Sequence, residues 1–203
     1  MTVSFGADWQ RDFWQSPYAL RFDLGAGGEN INMFSTAYDR ARTLARAALT
    51  GRDVVAIVAA YPDSNAELAA ERKGWTQGSA FELLAAMGAP TDRAIAEWPG
   101  YWWPGAESDP DETPWVHRAL RLTWPQADVL LWNQLAHDLG VTPQAPVQSK
   151  LVDLERGVCV NAYDDRGMDI IGLSKPAVSH LFVEFSDWLN AHSRPGINEA
   201  FQD

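Results

Sequence analysis

The sequence predicts an α+β (mixed α/β) protein. A single mixed sheet with an antiparallel C-terminal meander is packed by helices, in one domain spanning residues 1–203. Three observations predict it. Strand-like and helix-like runs alternate through the first two-thirds of the chain, so helices cross between strands. The tail instead sets three short apolar runs between tight turns, as a meander does. At 203 residues, 46% of them hydrophobic, the chain can close one core without a disulfide or metal staple.

The elements follow in order. Residues 8–14 form a short helix stopped by Pro17. Residues 18–24 alternate Tyr18, Leu20, Phe22 and Leu24 with Arg21 and Asp23, which is a half-buried strand. Glycines break it, and residues 32–49 then repeat apolar side chains at helical spacing, with Arg40, Arg42 and Arg46 opposite and Gly51 at the C-terminal stop. Residues 53–61 read as a buried strand, and 64–73 and 79–87 as helices. The region 89–115 is irregular, punctuated by Pro90, Pro99, Pro104, Pro110 and Pro114. A strand over 116–124 leads into a helix over 125–139, with Pro125 in its first turn and Gly140 after its end. The meander runs through 151–154, 158–163 and 168–171. Ser174 then caps a last helix whose core face carries Val178, Leu181, Phe182, Phe185, Trp188 and Leu189.

Charge narrows the function. Lys and Arg number 16 against 27 Asp and Glu, a formal charge of −11, which disfavours nucleic acid and anionic membranes as partners and suits a basic protein. The acidity peaks in the segment from Glu107 to Glu112. The single Cys159 excludes an intramolecular disulfide and a multi-cysteine zinc site. Asp8, Arg11 and Asp12 interrupt the N-terminus where a signal peptide is apolar. No run approaches the roughly 20 apolar residues of a membrane span. A cytoplasmic location is expected.

Four groups of residues have chemical potential. The turn Gly25, Gly27, Gly28 between a strand and a helix is how nucleotide-like ligands are held, and it looks like the first motif of S-adenosylmethionine-dependent methyltransferases, with Asp63 as a ribose-binding acid. The spacing departs from that motif, and a plain glycine turn explains it equally. Tyr163, Asp164, Asp165, Arg166, Gly167 and Asp169 form the second group. Its carboxylates can bind a divalent cation, but Asp and Gly also serve an ordinary hairpin, with Arg166 pairing to Asp164 or Asp165. The expectation is a structural motif, with Tyr163 and Arg166 holding the meander against the last helix. His117, His137, His180 and His192 show no metal-ligand spacing, and Cys159 reads as a strand residue rather than a nucleophile. No catalytic residue, cofactor or metal is expected.

The fourth group is the aromatic and acidic insert. Residues 98–115 hold four of the ten tryptophans together with Tyr101 and a run of acids. Tryptophan and tyrosine give large contact area with few rotatable bonds, prolines preform the loop, and acids steer a basic partner. Trp98, Tyr101, Trp102, Trp103, Glu107, Asp109, Asp111 and Glu112 are therefore the expected partner-binding residues. The alternative is that the aromatics cap the core while the acids are solvated.

Two segments also carry a resemblance. Residues 162–171, Ala-Tyr-Asp-Asp-Arg-Gly-Met-Asp-Ile-Ile, followed by Trp188-Leu189 and by Arg194-Pro-Gly-Ile197, resemble bacterial domain of unknown function 3885. Upstream, Arg21-Phe-Asp-Leu-Gly25 before a helix looks like the same family. The resemblance, which covers about residues 158–203, implies an uncharacterised bacterial protein with no activity or catalytic residue to carry over. It also weakens the methyltransferase alternative. Small acidic bacterial proteins of this kind are often immunity proteins, an analogy rather than a derivation. The expected function is thus a non-enzymatic binding protein, a cytoplasmic immunity protein that neutralises a basic toxin domain by occluding its active site. The alternative is a small methyltransferase-like enzyme using the glycine turn.

Overall fold

Seven strands form one sheet in the computed structural model, which describes residues 9–25, 27, 30–51, 54–61, 77–102, 108 and 113–201. Helix α1 (Trp9–Trp14) precedes β1 (Ala19–Asp23), α2 (Asn30–Ala48) and β2 (Val54–Ala60). Then come α3 (Gln77–Ala86), a 3₁₀ turn (Thr91–Arg93), β3 (Ala94–Gly100), β4 (Trp115–Leu122) and α4 (Trp124–Leu139). The tail holds β5 (Gln148–Asp153), β6 (Val158–Ala162), β7 (Gly167–Gly172), α5 (Lys175–Glu184) and α6 (Arg194–Phe201). The helix expected over 64–73 lies outside the described residues.

The strand order is β1-β7-β6-β5-β2-β4-β3, and every pairing is antiparallel. The α+β class and the C-terminal meander are present, but the sheet is not mixed. The reason is topological. Helices do cross between co-oriented strands, yet each such pair is split: the meander enters between β1 and β2, β4 between β2 and β3, and β2 between β4 and β5. Among the described residues, co-oriented strands are therefore never neighbours, and no parallel ladder forms.

One face of the sheet is apolar and covered by helices. Leu20, Phe22, Val54, Ala56, Val58, Leu120, Leu122, Leu151, Val160, Met168 and Ile170 meet Phe34, Leu44, Leu84, Leu130, Leu135 and Leu181 in the main core. Helices α2 and α4 lock together there. Trp132 packs edge-on to Phe34 at 4.6 Å, and Asp128 accepts from Arg42 (3.1 Å) and Arg46 (2.6 Å). Helix α4 starts as its sequence dictates, with Gln126 Oε1 accepting the Thr123 N–H at 3.0 Å. It stops at Gly140, whose φ of 62° is left-handed.

Three elements depart from the sequence expectation, the first being α6 (Arg194–Phe201), a helix beyond the one expected to be last. The irregular region contains β3, an edge strand with a bulge between Ala94 and Ala96. Helix α5 ends at Glu184, before Phe185, Trp188 and Leu189. A 3₁₀ turn (Ser186–Trp188) intervenes, Leu189 bridges to Phe22, and the Asn190 N–H donates to the Arg21 carbonyl at 2.9 Å. This return covers the β1 edge, whereas no described strand lies outside β3. No described helix is long and apolar enough to cross a membrane.

Candidate functional site: a polar cluster on the second sheet face

The alternation that aims leucines at the helices aims a different set of side chains at the other face. Arg21 on β1 lies opposite Asp169 on β7, which lies opposite Asn161 on β6. Arg21 and Asp169 form a bidentate pair, Nε to Oδ1 at 2.8 Å and Nη2 to Oδ2 at 3.0 Å. The pair raises the Arg21 pKa further above its usual value, so Arg21 stays charged. Trp14 from α1, Arg21, Asn161, Tyr163 and Asp169 line a cavity of about 350 Å³. The two sequence segments that carry the family resemblance thus meet at this cavity. Burial, reinforced by the Asp169 charge, pushes the Tyr163 phenol up to about 12, so it is a hydrogen-bond donor at neutral pH.

Beside it lies a fully buried lysine. Lys150 on β5 is 1% exposed, with Nζ 3.6 Å from the centre of the Trp102 ring and 5.5 Å from that of Trp14. It also donates to the Trp102 carbonyl at 3.4 Å. Burial lowers its pKa to about 7, because an ammonium loses hydration there. Cys159 on the same face is buried, and its thiol is pushed up to about 12 by that burial. It is a strand residue of the second core with Phe13, Ile57, Val152 and Ile171, as expected. His117 stacks between Trp98 (5.6 Å) and Trp102 (6.1 Å). Its burial, and then the Lys150 charge, lowers its pKa to about 4 and keeps it neutral.

The insert residues divide. Trp102 is 3% exposed and caps Lys150 against Trp115, so it is a core ring and not an open anchor. Trp98 is half-buried on His117, and Tyr101 is half-buried. Trp103, Glu107, Asp109, Asp111 and Glu112 lie outside the described residues.

The aspartate turn is a turn. Asp164 Oδ1 accepts the N–H groups of Arg166 (2.8 Å) and Gly167 (3.1 Å), and its Oδ2 pairs with the Arg166 guanidinium. Asp169 is committed to Arg21, and among the described residues no three metal-ligating side chains gather around one point. Gly167 is required by close approach, because a Cβ there would sit 2.2 Å from the Tyr163 hydroxyl. Arg166 pairs with Asp164, one of the two partners expected of it. Its side chain is 77% exposed and pairs within its own turn. Arg156 ties the meander to the helices, donating to the carbonyls of Ala48 (2.9 Å) and Ala177 (3.3 Å) and to Thr50 Oγ1 (3.1 Å).

At the glycine turn, Arg40 donates to the carbonyls of Asp23 (3.1 Å), Leu24 (3.4 Å) and Gly25 (3.4 Å) and packs on Trp188. A nucleotide site of the doubly wound kind sits where parallel strands diverge, and no described strands pair in parallel. Gly28 and Asp63 lie outside the described residues. His137 bonds the Ala145 carbonyl at 2.9 Å and His180 that of Ala47 at 3.1 Å, while His192 is exposed.

Sequence reasoning missed Lys150 and Asn161. A signal for each exists: Lys150 shares its phase with Val152, and Asn161 with Cys159, so both belong to the strand face opposite the leucines. No curated protein and no solved structure matches the chain significantly. The family model described as Domain of unknown function (DUF3885) matches residues 2–193, and the chain belongs to that family.

Proposed function

We propose that this is a non-enzymatic binding protein, a cytoplasmic immunity protein that docks a basic toxin domain and covers its active site. The observation that carries the reading is the open end of the sheet. Strand β3 has no described strand outside it, exposes Ile95 at 49%, and leads along the chain into Glu107, Asp109, Asp111 and Glu112. A bulge, Pro99 and Glu97 blunt this edge against strand addition, so side chains supply the contact. Ile95, Trp98 and Tyr101 offer the apolar part, and the acids steer a cationic partner into register. The net charge of −11 favours such a partner over a polyanion.

The test is capture from the native bacterium at two salt concentrations, followed by two variants. One is Ile95→Asp, and the other reverses Glu107, Asp109, Asp111 and Glu112 to lysine. A basic protein that arrests growth when expressed alone, is neutralised by this protein, and is lost by both variants is the expected result. A basic partner held equally well by both variants refutes the surface, and a neutral or acidic partner refutes the charge argument.

A further inference from the structure

The cavity on the second sheet face is independent of that docking reading. Asn161 is 3% exposed, and its side-chain amide has no hydrogen-bond partner among the described residues. The amide is not among the side-chain groups sealed off without a partner, so it faces the open space of the cavity, where it can bond whatever enters. Tyr163 lines the same space, and its hydroxyl has no hydrogen-bond partner among the described residues. Its phenol keeps its proton at neutral pH and so donates.

The rest of the lining narrows the occupant. Arg21 and Asp169 neutralise one another through two hydrogen bonds, so the pair asks for no counter-charge from a ligand. The indole of Trp14 provides a flat apolar wall. A volume of about 350 Å³ admits a one- or two-ring molecule. An asparagine amide presents a donor and an acceptor side by side, which matches the edge of a lactam or an aminopyrimidine ring.

We propose that this cavity binds a free, uncharged, planar heterocycle of nucleobase type. Asn161 pairs with the donor–acceptor edge of the ring, Tyr163 donates to a ring carbonyl or nitrogen, and Trp14 forms the wall against its face. The ligand is the free heterocycle and not a base within a nucleic acid strand, because a chain of charge −11 repels a polyphosphate.

Calorimetry and ligand-observed saturation-transfer NMR on the full chain test this. The probes are adenine, hypoxanthine, cytosine and uracil, their nucleosides, and a single-stranded oligonucleotide. At least one base or nucleoside is expected to bind with Kd below about 1 mM. Asn161→Leu, close in volume and apolar, is expected to weaken that binding at least about tenfold while holding the melting temperature, since the amide makes no hydrogen bond to a described residue. Tyr163→Phe is expected to weaken it less. The proposal is overturned if no base or nucleoside binds, if only the oligonucleotide binds, or if Asn161→Leu binds as tightly as the unaltered chain. A loss of binding in Asn161→Leu accompanied by a lower melting temperature would also overturn it, because the amide would then be serving the fold.

Discussion

Raising the pH from about 7 to about 9 should stabilise this protein by about 2 kcal/mol, and Lys150 is the cause. The side chain is 1% exposed, and burial depresses its pKa from 10.5 to about 7. Between those two values the unfolded chain carries a proton on this lysine that the folded chain lacks. Stability therefore rises with pH across that window. One whole proton corresponds to about 1.4 kcal/mol per pH unit. The folded group is half-titrated near pH 7, and integrating to pH 9 leaves about 2 kcal/mol. Above pH 9 the sign is opposed by Cys159, raised from 9.0 to about 12, since the folded thiol then keeps a proton that the unfolded one releases. Tyr163, raised from 10.0 to about 12, adds to the opposition, so the curve flattens and then falls. Urea denaturation followed by tryptophan fluorescence at several pH values gives the free energies directly. Lys150→Met supplies the control, since it keeps the apolar stem beside Trp102 and removes the titrating group. A flat or falling stability between pH 7 and 9 in the unaltered protein would refute the reasoning, as would an undiminished rise in Lys150→Met.

Three further outcomes follow from the packing. Arg156→Ala should cost about 1–3 kcal/mol, because it removes charged donors from the Ala48 and Ala177 carbonyls, whereas exposed Arg166→Ala should cost less than about 1. Thermal melts that reverse this order would contradict the assigned roles. Gly167→Ala should destabilise by about 1–3 kcal/mol through collision with Tyr163, and most of that cost should vanish in a Tyr163→Ala background. Additive losses in the double variant would show that the collision is not the cause. Cys159, 3% exposed with its pKa pushed up to about 12, should react with a disulfide reagent only after unfolding. Fast labelling of the native chain would place it elsewhere.

Legibility in the sequence followed the range of the interactions. The Asp164 turn was readable because its partners, Arg166 and Gly167, lie within three residues. The start of α4 was readable because Pro125 suits the first turn of a helix, where its missing N–H is not needed. Strand β3 was not, since a bulged edge strand carrying Pro99 and mostly exposed side chains has no apolar alternation. Helix α5 was read too long for a related reason. Apolar spacing continues through Phe185 to Leu189, but Leu189 is needed by Phe22 on the far side of the chain, and that contact overrides the period. Trp102 looked like an interface anchor because its neighbours are Pro, Gly and acids, and only Lys150 beneath its ring makes it core.

The residue pattern alone determined the α+β class, most of the element positions, the meander and the excess of acidic charge. Each depends on neighbours a few positions apart or on composition, which local propensity and periodicity encode. The tertiary structure decided the strand order, and with it the insertion of β5, β6 and β7 between β1 and β2. That insertion sets Arg21 against Asp169 across 148 residues and assembles the cavity around Asn161. Such pairings depend on which strands can close together once the whole core is formed, and the sequence near either partner does not carry that information.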